Sequence, residues 1–157
     1  MKIKLLAIGK TDEKLLKNGI IEYEGRIKHY LSFENIEIPG LKNTIHLSKD
    51  EWKAKEAAKI LPVFLPGDLI ILLDEKGKEM TSSEFAAFLN QKFSGGGRSL
   101  VFVIGGPYGF DDSVKKKAHF HLSLSRMTFS HQMVRLFFVE QLYRALTILR
   151  NEPYHHE

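Results

Sequence analysis

The sequence of 157 residues contains no cysteine. Disulfide bonds and thiolate metal sites are therefore excluded, and nothing in the composition requires an oxidising compartment. No run approaches the roughly 18 apolar residues of a membrane-spanning helix. The apolar opening from Lys4 to Gly9 is too short for a signal peptide and is followed by charged residues. We expect a cytoplasmic protein without a membrane partner.

Several sequence motifs of common enzyme classes are also missing. GxGxxG, GxxxxGK[ST] and GxSxG do not occur, which removes the main support for dinucleotide, P-loop and hydrolase functions. His119 and His121 would share one face of a strand, and His155 and His156 add two more imidazoles. Because no cysteine or evident carboxylate completes a ligand set, we predict no metal centre.

What the sequence does contain is typical of one globular domain spanning residues 1–157. Its residues are 43% hydrophobic and 27% charged, without repeats or low-complexity tracts. The formal net charge is +4 and the pI is near 9.2. This charge favours anionic partners, although on its own it is weak evidence.

Apolar periodicity predicts alternating strands and helices, and hence an α/β fold. The predicted strands are Lys2–Ile8, Phe33–Ile38, Asp68–Asp74, Leu100–Ile104 and His121–Ser125. Five helices are predicted. The first is capped by Asp12 and ends near Ile27, and the second begins with a capping box at Ser48. The others are Thr81–Phe93, a short helix from Asp111 to Lys117, and His131–Leu149. This order implies a mainly parallel sheet with helices on both faces.

The stretch VFVIGGPYGF, beginning at Val101, is the centre of the predicted site. A buried strand runs directly into a Gly-Gly-Pro turn, and α/β proteins bind small molecules at the carboxyl ends of such strands. Glycines without Cβ atoms let a ligand approach the backbone closely. A plain tight turn is the alternative, and the turn alone does not decide between the two.

The final predicted helix is apolar on too many sides for one core. Of its 19 residues, 12 are apolar, so self-association would supply the missing cover. Glu140 and Arg144 stand four residues apart, a spacing that predicts an ion pair of about 0.3 to 0.5 kcal/mol. The tail after Arg150 offers little apolar area, so we predict that it serves a substrate rather than stability.

Together, IGGPYG, LSLSRMTFSHQMVR, VEQLYRA and the terminal PYH resemble the ribosomal RNA large-subunit methyltransferase H family (RlmH) of the SPOUT class. The resemblance extends from the opening AIGK to the tail. It implies a C-terminal trefoil knot, a homodimer, and methylation of N3 of a pseudouridine in large-subunit (23S) rRNA, within the assembled ribosome. It also implies S-adenosyl-L-methionine as cofactor, bound by Leu73, Gly105, Leu124, Ser125, Arg126, Met127, Thr128 and Phe129.

The resemblance also implies roles for residues at the end of the chain. Arg144 would stabilise the deprotonated base or a nearby phosphate, and Glu140 would orient Arg144. Tyr154 and His155 would position or deprotonate the base, in the active site of the other subunit. His131 and Arg135 are expected to contact RNA.

Two positions depart from the family pattern. Ser130 replaces the usual proline before His131, which predicts a looser loop, and His156 replaces a Lys or Arg, which predicts weaker phosphate contacts. Two alternatives to this function stay open: a noncatalytic RNA-binding or ribosome-associated module, and a knotted tRNA methyltransferase.

Overall fold

The computed structural model describes residues 1–156; Glu157, the last residue of the predicted domain, lies outside the described residues. The strands are β1 (Lys2–Ile8), β2 (Ser32–Ile38), β3 (Asp68–Glu79), β4 (Ser99–Ile104) and β5 (Phe120–Ser123). The helices are α1 (Lys14–Ile27), α2 (Lys49–Ile60), α3 (Ser82–Ser94), α4 (Asp112–Lys115) and α5 (Met133–Leu149). A 3-10 turn, Leu61–Val63, follows α2.

All five strands lie parallel in one sheet, in the order β2-β1-β4-β3-β5. This arrangement confirms the predicted α/β class. Leu73 of β3 pairs with Ile104 of β4 and with Leu122 of β5. The carboxyl ends of these three strands therefore meet at one edge, which is where the Gly-Gly turn leaves β4.

Helices cover both faces of the sheet, as predicted. On one face, the core includes residues of α1, α3 and α5, among them Ile20, Phe85, Leu89, Phe138 and Leu142. On the other face, α2 and α4 contribute Ala57, Ile60 and Val114. Strands β1 and β4 and the first half of β3 are buried from both sides, which explains their nearly continuous apolar sequences.

Two helix starts follow the sequence and one does not. Ser48 and Glu51 form the predicted capping box, and Thr81 caps α3, where Glu84 completes a second box that was not predicted. Asp12 does not cap α1: Glu13 holds the N-cap position without a side-chain bond. Gln132 Oε1 instead accepts from the backbone N–H groups of Asp12 and Glu13, at 3.1 and 3.3 Å.

The third strand is longer than predicted and carries an irregularity. It continues past Asp74 to Glu79, and its pairing with β5 shifts register between Leu73 and Lys78. At Gly77, a Cβ would come within 2.7 Å of the backbone of Leu122, so only glycine fits there. Within residues 1–156, no helix has the length and apolar character to cross a membrane.

Candidate active site

A cleft of about 720 Å³ opens at the carboxyl ends of β3 and β4. Its walls come from the turn at residues 105–110 and from the segment at residues 124–131, with the start of α2 along one side. This volume is within the range of small-molecule sites in proteins. The edge of the sheet predicted from the Gly-Gly turn is thus the position of this cavity.

Most of the predicted cofactor residues lie around this cleft. The lining includes Leu73, Gly105, Leu124, Ser125, Met127, Thr128 and Phe129. Arg126 is the exception, because its side chain is 88% exposed and pairs with Glu79 at 3.3 Å, away from the cleft.

The turn after β4 is closely packed from behind. A Cβ at Gly105 would lie 3.0 Å from the ring of Phe110, and one at Gly106 would lie 2.2 Å from the carboxyl of Glu56. The backbone of this turn consequently faces the cleft without side chains at its first two positions.

Short polar contacts hold the opposite wall. Ser125 Oγ accepts from the backbone N–H of Met127 at 2.9 Å, and Thr128 Oγ1 donates to Glu75 at 3.1 Å. Ser130 Oγ accepts from the N–H of Met133 at 3.1 Å and so caps the first turn of α5. Ser130 thus makes a local contact of its own, and the loosening relative to proline stays a prediction.

Charged side chains at the mouth of the cleft were not predicted. Four lysines and three carboxylates line it: Lys49, Lys53, Lys76, Lys115, Asp50, Asp74 and Glu75. The lysines of α2 are distant in sequence from the Gly-Gly turn, so no local motif indicates that they meet there. Such lysines can receive the phosphates of a nucleic acid.

The two expected RNA contacts lie in different environments. His131 is exposed and lines the cleft. Arg135 is only 1% exposed, and its guanidinium donates to the carbonyls of Ile8, Gly9 and His131 at 2.7 to 3.2 Å. That placement does not fit an RNA contact. Arg135 instead fixes the end of β1 to the start of α5.

The four residues expected to be catalytic form one cluster at the other end of α5. Glu140 Oε1 accepts from Arg144 Nη2 at 2.6 Å and from the Tyr154 hydroxyl at 3.1 Å. Nδ1 of His155 lies 3.4 Å from Arg144 Nη1, and the guanidinium lies 4.8 Å from the centre of the Tyr154 ring. The predicted ion pair of Glu140 and Arg144 is confirmed.

The environment of this cluster sets its protonation. The hydrogen bond that Arg144 donates to Glu140 raises the pKa of Arg144, so the guanidinium stays charged. Burial, followed by the hydrogen bond with Tyr23, raises the pKa of Tyr154. At neutral pH Tyr154 is therefore a neutral phenol that can donate a proton in a hydrogen bond but is no general base.

The tail has a packing role that its sequence did not predict. The Tyr154 ring lies 4.7 Å from that of Tyr143, its hydroxyl lies 3.1 Å from that of Tyr23, and Glu152 accepts a hydrogen bond from Tyr30. The segment therefore packs against α1 and α5 of its own chain.

The cleft and the tail cluster are separated along α5. Val134 lines the cleft, whereas Arg144 lies ten residues further along, or about 15 Å at the rise of an α-helix. None of Glu140, Arg144, Tyr154 or His155 lines the cleft. Within one chain, these groups therefore face different sites.

Comparison with known proteins gives consistent matches. A family model described as predicted SPOUT methyltransferase matches residues 1–155. Proteins named ribosomal RNA large subunit methyltransferase H are 54% identical in Parabacteroides distasonis, over the full length of both chains, and 53% identical in Christiangramia forsetii, over 99% of each. A solved structure of a probable methylase family protein from Haemophilus influenzae shares the fold, with a TM-score of 0.51 and 14% identity over 99% of this chain and 70% of that one.

Proposed function

The chain belongs to the SPOUT methyltransferases, and among them to the ribosomal RNA large subunit methyltransferase H family, and from this we propose that it methylates N3 of a pseudouridine in large-subunit (23S) rRNA. The methyl donor in this proposal is S-adenosyl-L-methionine. The observation that carries it is the cleft at the ends of β3 and β4, where Gly105 and the segment at residues 124–129 face each other.

The lining of the cleft suits this cofactor. An adenine ring needs apolar walls and backbone hydrogen bonds, and Leu73, Ile104, Leu124 and Phe129 supply apolar surface. Gly105 has no Cβ, so its backbone is open to a ligand. Phe110 leaves no room for a side chain at this position. Arg126 has no part in this assignment, because its side chain points away.

The residues of the tail cluster would complete the chemistry. When bound, S-adenosyl-L-methionine supplies a methyl group on a sulfonium leaving group, so no metal is required. The base must lose its N3 proton and be held in line with that methyl. Arg144, charged and fixed by Glu140, would stabilise the resulting anion. Tyr154, whose hydroxyl donates to Glu140, would position the base, and His155 would accept the proton.

The separation of the cleft from the tail cluster supports a homodimer as the working unit. In a two-fold dimer along α5, the first half of one helix meets the second half of its partner. The tail cluster of one subunit would then stand at the cleft of the other. Phe129 and Phe137 pack at 4.8 Å and remain partly exposed, which supplies apolar surface for this contact.

The proposal includes the finer features that the family resemblance implies. The whole chain, residues 1–157, would act as one domain with a C-terminal trefoil knot. Its partner would be rRNA in the assembled ribosome, which implies work in the cytoplasm, and His131 at the cleft would contact that RNA.

Calorimetry with S-adenosyl-L-methionine tests the cofactor assignment. The purified protein should bind it with a measurable heat. No heat at cofactor concentrations around 1 mM would favour the alternative of a noncatalytic RNA-binding module. Methylation assays with free rRNA, isolated large subunits, assembled ribosomes and tRNA then identify the substrate; transfer to tRNA alone would contradict the proposal.

A further inference from the structure

Glu56 of α2 is a buried carboxyl group that the proposed chemistry does not use. It is 3% exposed, and within residues 1–156 its Oε1 has no hydrogen-bond partner. Burial raises the pKa of Glu56; the nearby indole N–H of Trp52, which lies outside hydrogen-bonding geometry, and the charge of Lys59 lower it. Because a buried polar group without a partner destabilises a fold, leucine or methionine would be expected at this position on stability grounds alone.

The Glu56 carboxyl lies directly behind the Gly-Gly turn. A Cβ at Gly106 would come within 2.2 Å of Oε2, 2.4 Å of Oε1 and 2.6 Å of Cδ. Gly106 is not among the residues with positive φ, so its backbone conformation would accept any amino acid. The requirement for glycine at this position therefore comes from Glu56.

A second contact joins the same helix to the turn. The ring of Trp52 meets that of Tyr108 edge-on, with centroids 5.4 Å apart, and Lys49 Nζ lies 5.6 Å from the Tyr108 ring. Lys49 and Lys53 also line the cleft. One face of α2 thus touches the turn at Gly106 and at Tyr108, while its first turns form a wall of the same cavity.

We propose that Glu56 is a positioning residue for cofactor binding: its carboxyl fills the space behind Gly106 and sets the path of the turn at residues 105–109. This inference rests on the proposed function, because the turn is taken as one wall of the cofactor site. In this inference the shape of the carboxyl group matters, and its charge does not. An amide of the same shape should therefore replace it, whereas a methyl group should not.

The test is a double-mutant cycle read by calorimetry with S-adenosyl-L-methionine. Glu56→Ala lets the turn sink into the vacated space, and Gly106→Ala pushes it outward; each should weaken binding about tenfold. Glu56→Gln should bind within about threefold of the unmodified protein. In the double variant, Glu56→Ala with Gly106→Ala, the new methyl group meets no carboxyl. Its loss of affinity should therefore be smaller than the two single losses added together.

Controls separate this role from stability and from the proposed function. Lys55→Ala, an exposed position on α2, should leave affinity unchanged. Melting temperatures of all variants identify any loss of fold, and if Glu56→Ala does not fold, Glu56→Gln and Gly106→Ala decide. Additive losses, a folded Gly106→Ala with unchanged affinity, or a folded Glu56→Gln as weak as Gly106→Ala would each overturn the inference. Absence of binding by the unmodified protein would instead overturn the proposed function.

Discussion

Gly105 is the residue at which the cofactor assignment can be tested most simply. Its φ is not positive, so a substitution there acts through space rather than backbone strain. Gly105→Val places a branched side chain against Phe110, where even a Cβ would lie at 3.0 Å. We expect affinity for S-adenosyl-L-methionine to fall by about 100-fold or more in calorimetry.

Gly25→Ala is the matched control for Gly105→Val. Gly25 lies in α1, and a Cβ there has nothing within 4 Å. Alanine should raise stability by about 0.5 to 1 kcal/mol through helix propensity and leave cofactor affinity unchanged. Unchanged affinity in Gly105→Val would remove the turn from the cofactor site.

Glu56 also predicts a dependence of stability on pH. Its folded-state pKa is raised above the ordinary value of 4.5, chiefly by burial. The protonated group therefore contributes stability that is present below pH 4.5 and is lost as the pH rises through the folded-state pKa. Urea denaturation from about pH 4 to pH 8 measures the free energy of unfolding of Glu56→Gln and of the unmodified protein. As the pH rises, the value for Glu56→Gln should increase relative to that of the unmodified protein. A constant difference between the two would contradict a raised pKa.

Residues such as Arg135 and Glu56 mark the limit of sequence reasoning at this scale. A single arginine in the run HQMVRL indicates charge, and charge in a basic protein suggests RNA. Its actual partners, the carbonyls of Ile8 and Gly9, come from a strand more than 120 positions away. Such long-range contacts leave no local pattern. By contrast, Gly105 and Gly106 follow the end of β4 directly, which is why the turn was predictable from local sequence, whereas Leu124 and Phe129 were expected only from the family resemblance.

Deleting the tail after α5 can distinguish a role in methyl transfer from a role in cofactor binding. Removing residues 153–157 takes away Tyr154 and His155; none of residues 153–156 lines the cleft. We expect cofactor affinity to stay within about threefold of the intact protein. Single-turnover methyl transfer at saturating cofactor should be lost, and the melting temperature should fall by a few degrees, because the packing of Tyr154 on Tyr143 is lost.

Tyr154→Phe tests the hydroxyl of Tyr154 separately from the rest of the tail. The ring and its packing remain, while the hydrogen bonds to Tyr23 and Glu140 are removed. Reduced transfer with unchanged stability would indicate that the hydroxyl acts on the substrate. Full turnover by the truncated protein would contradict any catalytic role for the tail.

Elements differ in how far their boundaries follow from local sequence. Ser48 and Thr81 begin their helices as predicted, because a capping box needs only residues within one turn. The predicted cap of α1 at Asp12 was wrong, because the backbone there bonds to Gln132, more than 100 positions away. The extension of β3 beyond Asp74 depends on pairing with β5, and the charged residues there give no strand signal.

At the scale of the whole molecule, the proposed dimer depends on which face of α5 is free. Phe138 is fully buried in the core of one chain, whereas Phe137 is 40% exposed and packs on Phe129. Phe137→Glu should therefore release folded monomers, because it places a charge in the proposed contact. Phe138→Glu should prevent folding. Light scattering and circular dichroism distinguish the two outcomes.

The proposed dimer also connects oligomeric state to activity. If the tail cluster acts on the cleft of its partner, Phe137→Glu monomers should keep cofactor affinity and lose methyl transfer. A stable monomer of the unmodified protein, active in methyl transfer, would contradict the assembly of the site from two subunits.

The central claim is methyl transfer to N3 of a pseudouridine in large-subunit rRNA, and one measurement tests it most directly. Purified protein is incubated with labelled S-adenosyl-L-methionine and unmethylated ribosomes, and the rRNA is digested to nucleosides for mass spectrometry. We predict that the label appears in N3-methylpseudouridine, and that Gly105→Val yields none. Label in another nucleoside, or no label in rRNA while the protein binds the cofactor, would contradict the account.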